Sequence, residues 1–150
     1  ACADEDIRKF ILISSLLTNG LAAGQVLNPQ YVLLNSFGGI LLCKYEAEKY
    51  LRGQVKLDYT IVRPGGLRDT STSRVDNITT KKSAVLYGCA DTLFQGSISR
   101  SLLADVVVGA CTLPEASNKI VEVIESTKAK SVSLAEGFAS VSSEYASLGY

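Results

Sequence analysis

Three groups of residues are of types that can do chemistry. Ser14-Ser15 closes the run Arg8-Lys9-Phe10-Ile11-Leu12-Ile13, which reads as a short strand. In open α/β sheets, ligands bind in the crevice beyond the carboxyl ends of the strands, so a hydroxyl there can bond a substrate carbonyl or a cofactor amide. The same serines also suit a plainer role, capping the strand-to-loop transition. Lys44 stands among Leu41, Leu42, Ala47 and Leu51 on the apolar face of a helical stretch. Its ammonium can hold ligand hydroxyls, pair with Glu48 at i,i+4, or extend on its stem to solvent. Arg63-Pro64-Gly65-Gly66-Leu67 follows a second strand. The proline fixes a turn and the glycines let backbone approach a ligand closely. A Pro-Gly pair alone marks turns of every kind.

What the sequence lacks bounds the chemistry further. Its 150 residues include no histidine, which removes Ser-His-Asp and Cys-His nucleophiles and histidine acid–base catalysis. An enzyme built on this chain works with Ser, Tyr, Lys, carboxylates or a cofactor. Cys2, Cys43, Cys89 and Cys111 lie far apart with no C-x-x-C pair, so no zinc site is expected. Cys43 and Cys111 fall in apolar helical contexts and are expected to be buried core residues, reduced as in a reducing compartment.

Fifteen basic residues balance fifteen acidic ones. Residues 1–75 carry nine Lys/Arg against seven Asp/Glu, and residues 76–150 six against eight. No stripe of one sign exists to steer nucleic acid or an anionic membrane, and no nucleic-acid partner is expected. The longest apolar-rich stretch, Tyr31 to Cys43, is 13 residues and is broken by Asn35, Ser36 and two glycines. A membrane-spanning helix needs about 20.

The elements that must position these groups follow from periodicity. Behind the charged Arg8-Lys9 and ahead of Ser14-Ser15, the apolar residues are continuous, as expected of a parallel strand covered on both faces. Leu16 to Pro29 carries loop signals. Tyr31 to Leu51 reads as one long helix containing Gly38-Gly39, stopped by Gly53. Leu57 to Val62 is the second strand. Thr70 to Ser83 is a polar loop, and Ala84 to Gly96 holds one or two short strands. Ser99 caps a helix to about Thr112, Lys119 to Ile124 is a third strand, and Ser133 to about Ala146 a last helix. Such alternation implies parallel strands joined by right-handed helical crossovers.

The three groups gain meaning in sequence. Strand-Ser14-Ser15, then a helix with Lys44 and Ala47-Glu48, then Tyr59-Thr60-Ile61-Val62-Arg63-Pro64-Gly65-Gly66-Leu67 resembles the C-terminal half of atypical short-chain dehydrogenase/reductases. With Asn19-Gly20, Gly24-Gln25, Leu27-Asn28-Pro29, Asp91-Thr92-Leu93 and Gly96 to Arg100, it resembles in particular plastid NAD(P)-binding proteins of plants and algae. These are related to the redox-linked subunit of the chloroplast import machinery. The likeness covers roughly residues 1–125.

It implies the C-terminal part of a doubly wound, Rossmann-like parallel sheet. Ser14 and Ser15 would face the nicotinamide, Lys44 would hold its ribose, and Arg63 with Pro64, Gly65, Gly66 and Leu67 would complete the cofactor-binding set. Ser15 and Lys44 would be the catalytic pair. The cofactor implied is NADP, with NAD as the alternative, acting on a small molecule in the chloroplast stroma.

Two departures stand out. The position four residues before Lys44, where active members of the superfamily place a tyrosine acid–base, is Ile40, which cannot exchange a proton. Loss of a general acid costs about 10²–10⁴-fold in rate. Secondly, no glycine-rich phosphate loop follows any strand. Residues 1–150 therefore read as a single partial domain whose glycine-rich βαβ precedes Ala1. Dinucleotide binding is expected only in the intact parent domain, and a protein partner could cover the sheet edge left bare.

Overall fold

The computed structural model describes residues 7–54, 56–69 and 84–142. Its elements are β1 (Lys9–Ile13), α1 (Pro29–Ser36), α2 (Ile40–Arg52), β2 (Asp58–Pro64), β3 (Gly66–Arg68), β4 (Ala84–Gly88), β5 (Ser97–Ser99), α3 (Arg100–Thr112), β6 (Lys119–Ser126) and α4 (Leu134–Ala139). The main sheet runs in the order β1-β2-β6-β4. β1 pairs with β2 and β2 with β6 in parallel, with Leu12 opposite Ile61 and Ile61 opposite Ile120. Parallel neighbours need a crossover, and α2 and α3 supply the two crossovers here.

β4 departs from the expectation of parallel strands throughout: it pairs antiparallel to β6, Leu86 opposite Ile124. It lies at the sheet's end, where an antiparallel edge strand on an otherwise parallel sheet is common. β3 and β5 form a second, two-stranded parallel pair. The polar stretch from Thr70 to Ser83 lies outside the described residues.

Packing explains why these strands are apolar on both sides. Val62, Val121 and Val123 face Leu103, Val106 and Ala110 of α3, with Phe138 of α4, in the larger core. Ile61 and Ile120 turn the other way, onto Leu51 of α2 and Leu57. A third cluster, Leu16, Leu17, Tyr31 and Leu41, sits over the carboxyl ends of the strands. β1 is less covered than expected, half-buried along its length and exposed at Ile13, because it has a strand neighbour on one side only among the described residues.

The long helix expected from Tyr31 to Leu51 is two helices. Gly38 and Gly39 take φ of +84° and +66°, a left-handed conformation open to glycine, and the chain turns between them. The break is sealed by Asn35, whose Oδ1 accepts from the N–H groups of Leu41 and Leu42. Cys43 and Cys111, expected in the core, are both exposed thiols, because they fall on the solvent faces of α2 and α3 while Leu41 and Ala110 take the inner positions.

The expected cap at Ser99 is present, its side chain accepting from Leu102 N–H. Ser133 and Glu136 form a reciprocal capping box at α4. Ser133→Ala will lower the unfolding free energy by about 1 kcal/mol, read from the urea midpoint; an unchanged midpoint would show that α4 does not depend on its cap.

Candidate functional site

β1 and β2 end side by side, and the chain leaves both over the same edge of the sheet. Ser14 N–H donates to Val62 O and Leu16 N–H to Pro64 O, tying the two exits together. Beyond them lies a cavity of about 510 Å³, walled by Leu16, Leu17, Leu33, Leu34, Ile40 and Leu41, with Ser14, Ser15, Lys44 and Pro64 to Leu67 around it. No charged residue occurs between Lys9 and Lys44, and among the described residues Lys44 brings the only charge to this lining.

The structure thus brings together seven of the eight residues singled out above: Ser14, Ser15, Lys44, Pro64, Gly65, Gly66 and Leu67. Lys44 donates to Ile13 O at 3.2 Å, at the end of β1, and not to Glu48. Gly65 is demanded by close approach: a Cβ there would lie 2.5 Å from Gly96 O, while Gly66 N–H donates to the same oxygen at 2.9 Å. Ile40 reaches the cavity and is 41% exposed, an apolar wall with no proton to give.

Arg63 is the exception. It is 1% exposed and is not part of the lining. Its Nε and one Nη donate to Glu48 at 3.0 and 2.6 Å, and the other Nη to Asp91 at 2.7 Å. Ser14 and Thr18 hydroxyls also donate to Glu48, and Asn19 to Asp91. Thr18, Asn19 and Asp91 had no assigned role from sequence, and Glu48 only that of a candidate i,i+4 partner for Lys44. The available signal was Arg63 closing the run Tyr59 to Val62, where a buried charge must be paired, but α2 carries Lys44, Glu46, Lys49 and Arg52 besides Glu48, so nothing marked Glu48 as the partner.

The network also pins the segment after β4. Ala90 and Asp91 hold φ of +58° and +55°, a conformation uncommon for residues other than glycine. Glu122 accepts the following N–H groups of Thr92 and Leu93 at 3.1 and 2.9 Å. Burial pushes the Glu122 carboxyl above its ordinary pKa, and Asp91 adds to the rise, against the lowering effect of those N–H groups and Arg63. The folded form therefore holds its proton more tightly than the unfolded chain. Stability from this group is present below the ordinary carboxylate pKa and is lost as pH rises through the raised value. Comparing unfolding midpoints across pH, Glu122→Gln will flatten that fall; an unaltered slope would remove Glu122 from the pH dependence.

No group of three or more Cys, Asp or Glu suited to a metal occurs among the described residues. A dinucleotide fits only in part. Gly65 and Gly66 bring backbone without side chains to the cavity wall beside the serines, where a flat ring could lie against it. At the N-terminus of α2, by contrast, the Leu41 and Leu42 N–H groups are taken by Asn35 Oδ1 and are not free to cradle a phosphate.

Parallel strands crossed over by helices, with polar groups gathered beyond their carboxyl ends, define a Rossmann-like α/β nucleotide-binding domain. The chain belongs to the NAD(P)H-binding family, whose family model matches residues 1–114. It is 43% identical over 141 residues to an uncharacterized chloroplastic protein of Arabidopsis thaliana, covering 94% of this chain and 47% of that protein. It is 36% identical over 126 residues to the chloroplastic protein TIC 62 of Pisum sativum, covering 82% of this chain and 21% of that one.

The fold matches the crystal structure of the oxidoreductase ylbE from Lactococcus lactis with a TM-score of 0.66 at 19% identity, over 93% of this chain and 54% of the other. The chain thus spans less than half the length of these two chloroplastic relatives and about half that of the solved chain, and it is of the plastid, chloroplastic type. No helix among the described residues is long and apolar enough to cross a membrane.

Proposed function

We propose that this chain is the nicotinamide- and substrate-facing part of an NADP-binding, oxidoreductase-like domain of the chloroplast stroma, with NAD as the alternative cofactor. One observation carries the reading: Ser14, Ser15, Lys44 and the Pro64–Leu67 backbone gather around one cavity at the strand carboxyl ends. In this assignment Lys44 holds the ribose next to the nicotinamide, and Pro64 to Leu67 pass beneath the ring. When bound, the cofactor supplies hydride. The apolar walls exclude water, and Ser15 and Lys44 supply hydrogen bonds to the reacting groups.

The phosphates belong to a glycine-rich βαβ outside these 150 residues, whose strand would lie along the outer edge of β1. That edge has no strand partner among the described residues. A bare edge otherwise invites a protein partner.

Ile40 favours a second reading, a domain that binds NADPH and responds to it without turnover, because no tyrosine stands four residues before Lys44. Two measurements on the full-length protein decide. NADPH titration followed by fluorescence tests binding, and absence of binding sinks both readings. Reductase activity on a quinone or aldehyde panel would be fatal to the second. Lys44→Met will weaken NADPH binding by about tenfold or more, the loss of a charged hydrogen bond, with little change in melting temperature. Unchanged affinity would remove Lys44 from the site.

A further inference from the structure

Three donor atoms other than Ser14 Oγ hold Glu48, Asp91 accepts from the far side of Arg63, and together they fix the direction of one proton. Arg63 grips Glu48 with two N–H donors, Thr18 adds a hydroxyl at 3.1 Å, and Asp91 holds the far side of the guanidinium. Glu48 is 1% exposed and cannot swing away. An ionised carboxylate accepts and does not donate. The Ser14 hydroxyl therefore commits its only proton to Glu48 Oε1, at 2.5 Å. With that proton committed, the Ser14 hydroxyl can only accept from a ligand in the cavity that Ser14 lines. Ser15 lines the same cavity, and its hydroxyl makes no hydrogen bond among the described residues.

We infer that Glu48 is a positioning residue that divides the serine pair: Ser14 is held as an acceptor selecting a ligand N–H, and Ser15 is left as the donor to a ligand carbonyl. The inference rests on the nicotinamide reading of the cavity. The ligand class it names is a primary carboxamide, which carries both an N–H and a carbonyl. Two adjacent hydroxyls of identical chemistry acquire opposite roles because only one of them reaches the buried carboxylate.

The test uses the full-length protein and two probes, NADP and its 3-acetylpyridine analogue, in which a methyl replaces the amide nitrogen and the carbonyl stays. Wild-type protein will bind NADP about five- to tenfold more tightly than the analogue, the worth of one hydrogen bond. Ser14→Ala will bring that ratio near one. Ser15→Ala will weaken both ligands by a similar factor and keep the ratio. Glu48→Gln, whose amide can donate to Ser14, will shift the ratio as Ser14→Ala does if the variant folds; the two serine variants decide the matter either way, with melting curves confirming their folding.

A wild-type ratio retained in Ser14→Ala overturns the assignment, as does a ratio lost in Ser15→Ala. Equal wild-type affinity for the two probes overturns it while leaving the nicotinamide reading intact. No binding of either probe overturns both.

Discussion

Arg63→Met will lower the unfolding free energy by about 3–5 kcal/mol, the cost of leaving buried carboxylates without their cation. Arg63 and Glu48 are each 1% exposed and Asp91 10%, so water cannot replace the guanidinium. Three donors leave at once, two from Glu48 and one from Asp91. The loss will appear as a fall in the urea midpoint at constant m-value. Adding Glu48→Gln to Arg63→Met will cost less than the sum of the single changes, because the second change removes a charge the first has orphaned. A loss below about 1 kcal/mol for Arg63→Met would mean that the pair is solvated, as exposed ion pairs are. Since Asp91 and Asn19 hang on the same network, the variant will also loosen the segment around Ala90, seen as faster amide exchange there.

Gly65→Ala carries the second large effect. Gly65 has an ordinary negative-side backbone, so the cost is steric: the new methyl would lie 2.5 Å from Gly96 O and 2.8 Å from Gly96 C. Neither atom can yield freely, because Gly66 N–H donates to that carbonyl at 2.9 Å and Gly65 N–H to Val123 O at 3.0 Å. Overpacking of this kind costs about 1–3 kcal/mol. Relief would push β3 from β5 and shift the Pro64–Leu67 wall of the cavity, so NADPH affinity will fall with stability. Gly66→Ala is the control, since its methyl would meet Gly96 O at an ordinary 3.7 Å. Equal losses at the two positions would show that chain flexibility, and not the close approach, is what Gly65 supplies.

Much of the frame is legible from residues alone. The apolar runs that became β1, β2 and β6 are long enough and β-branched enough to be read as strands, and Ser99 and Ser133 announce their helices because a cap is a local bond. The serine pair, Lys44 and Pro64 to Leu67 could be named because each ends or interrupts an apolar element. The antiparallel sense of β4 could not be read, since strand direction is decided by pairing with distant β6. Nor could the exposure of Cys43 and Cys111: a thiol is compatible with either face, and helix rotation is set by what packs against it.

Arg63 marks the boundary most sharply. Five successive residues of β2, from Thr60 to Pro64, are buried, so no alternation tells which side chain faces ligand and which faces core. By itself the sequence determined that serines end the first strand, that a lysine follows on a helix and that an arginine and glycines end the second strand, because spacing along regular elements is local geometry. Only the tertiary structure decided that Lys44 and the serines share a cavity while Arg63 turns inward to Glu48 and Asp91. Burying a guanidinium needs carboxylates contributed by separate parts of the chain, and those meet only when the sheet has formed.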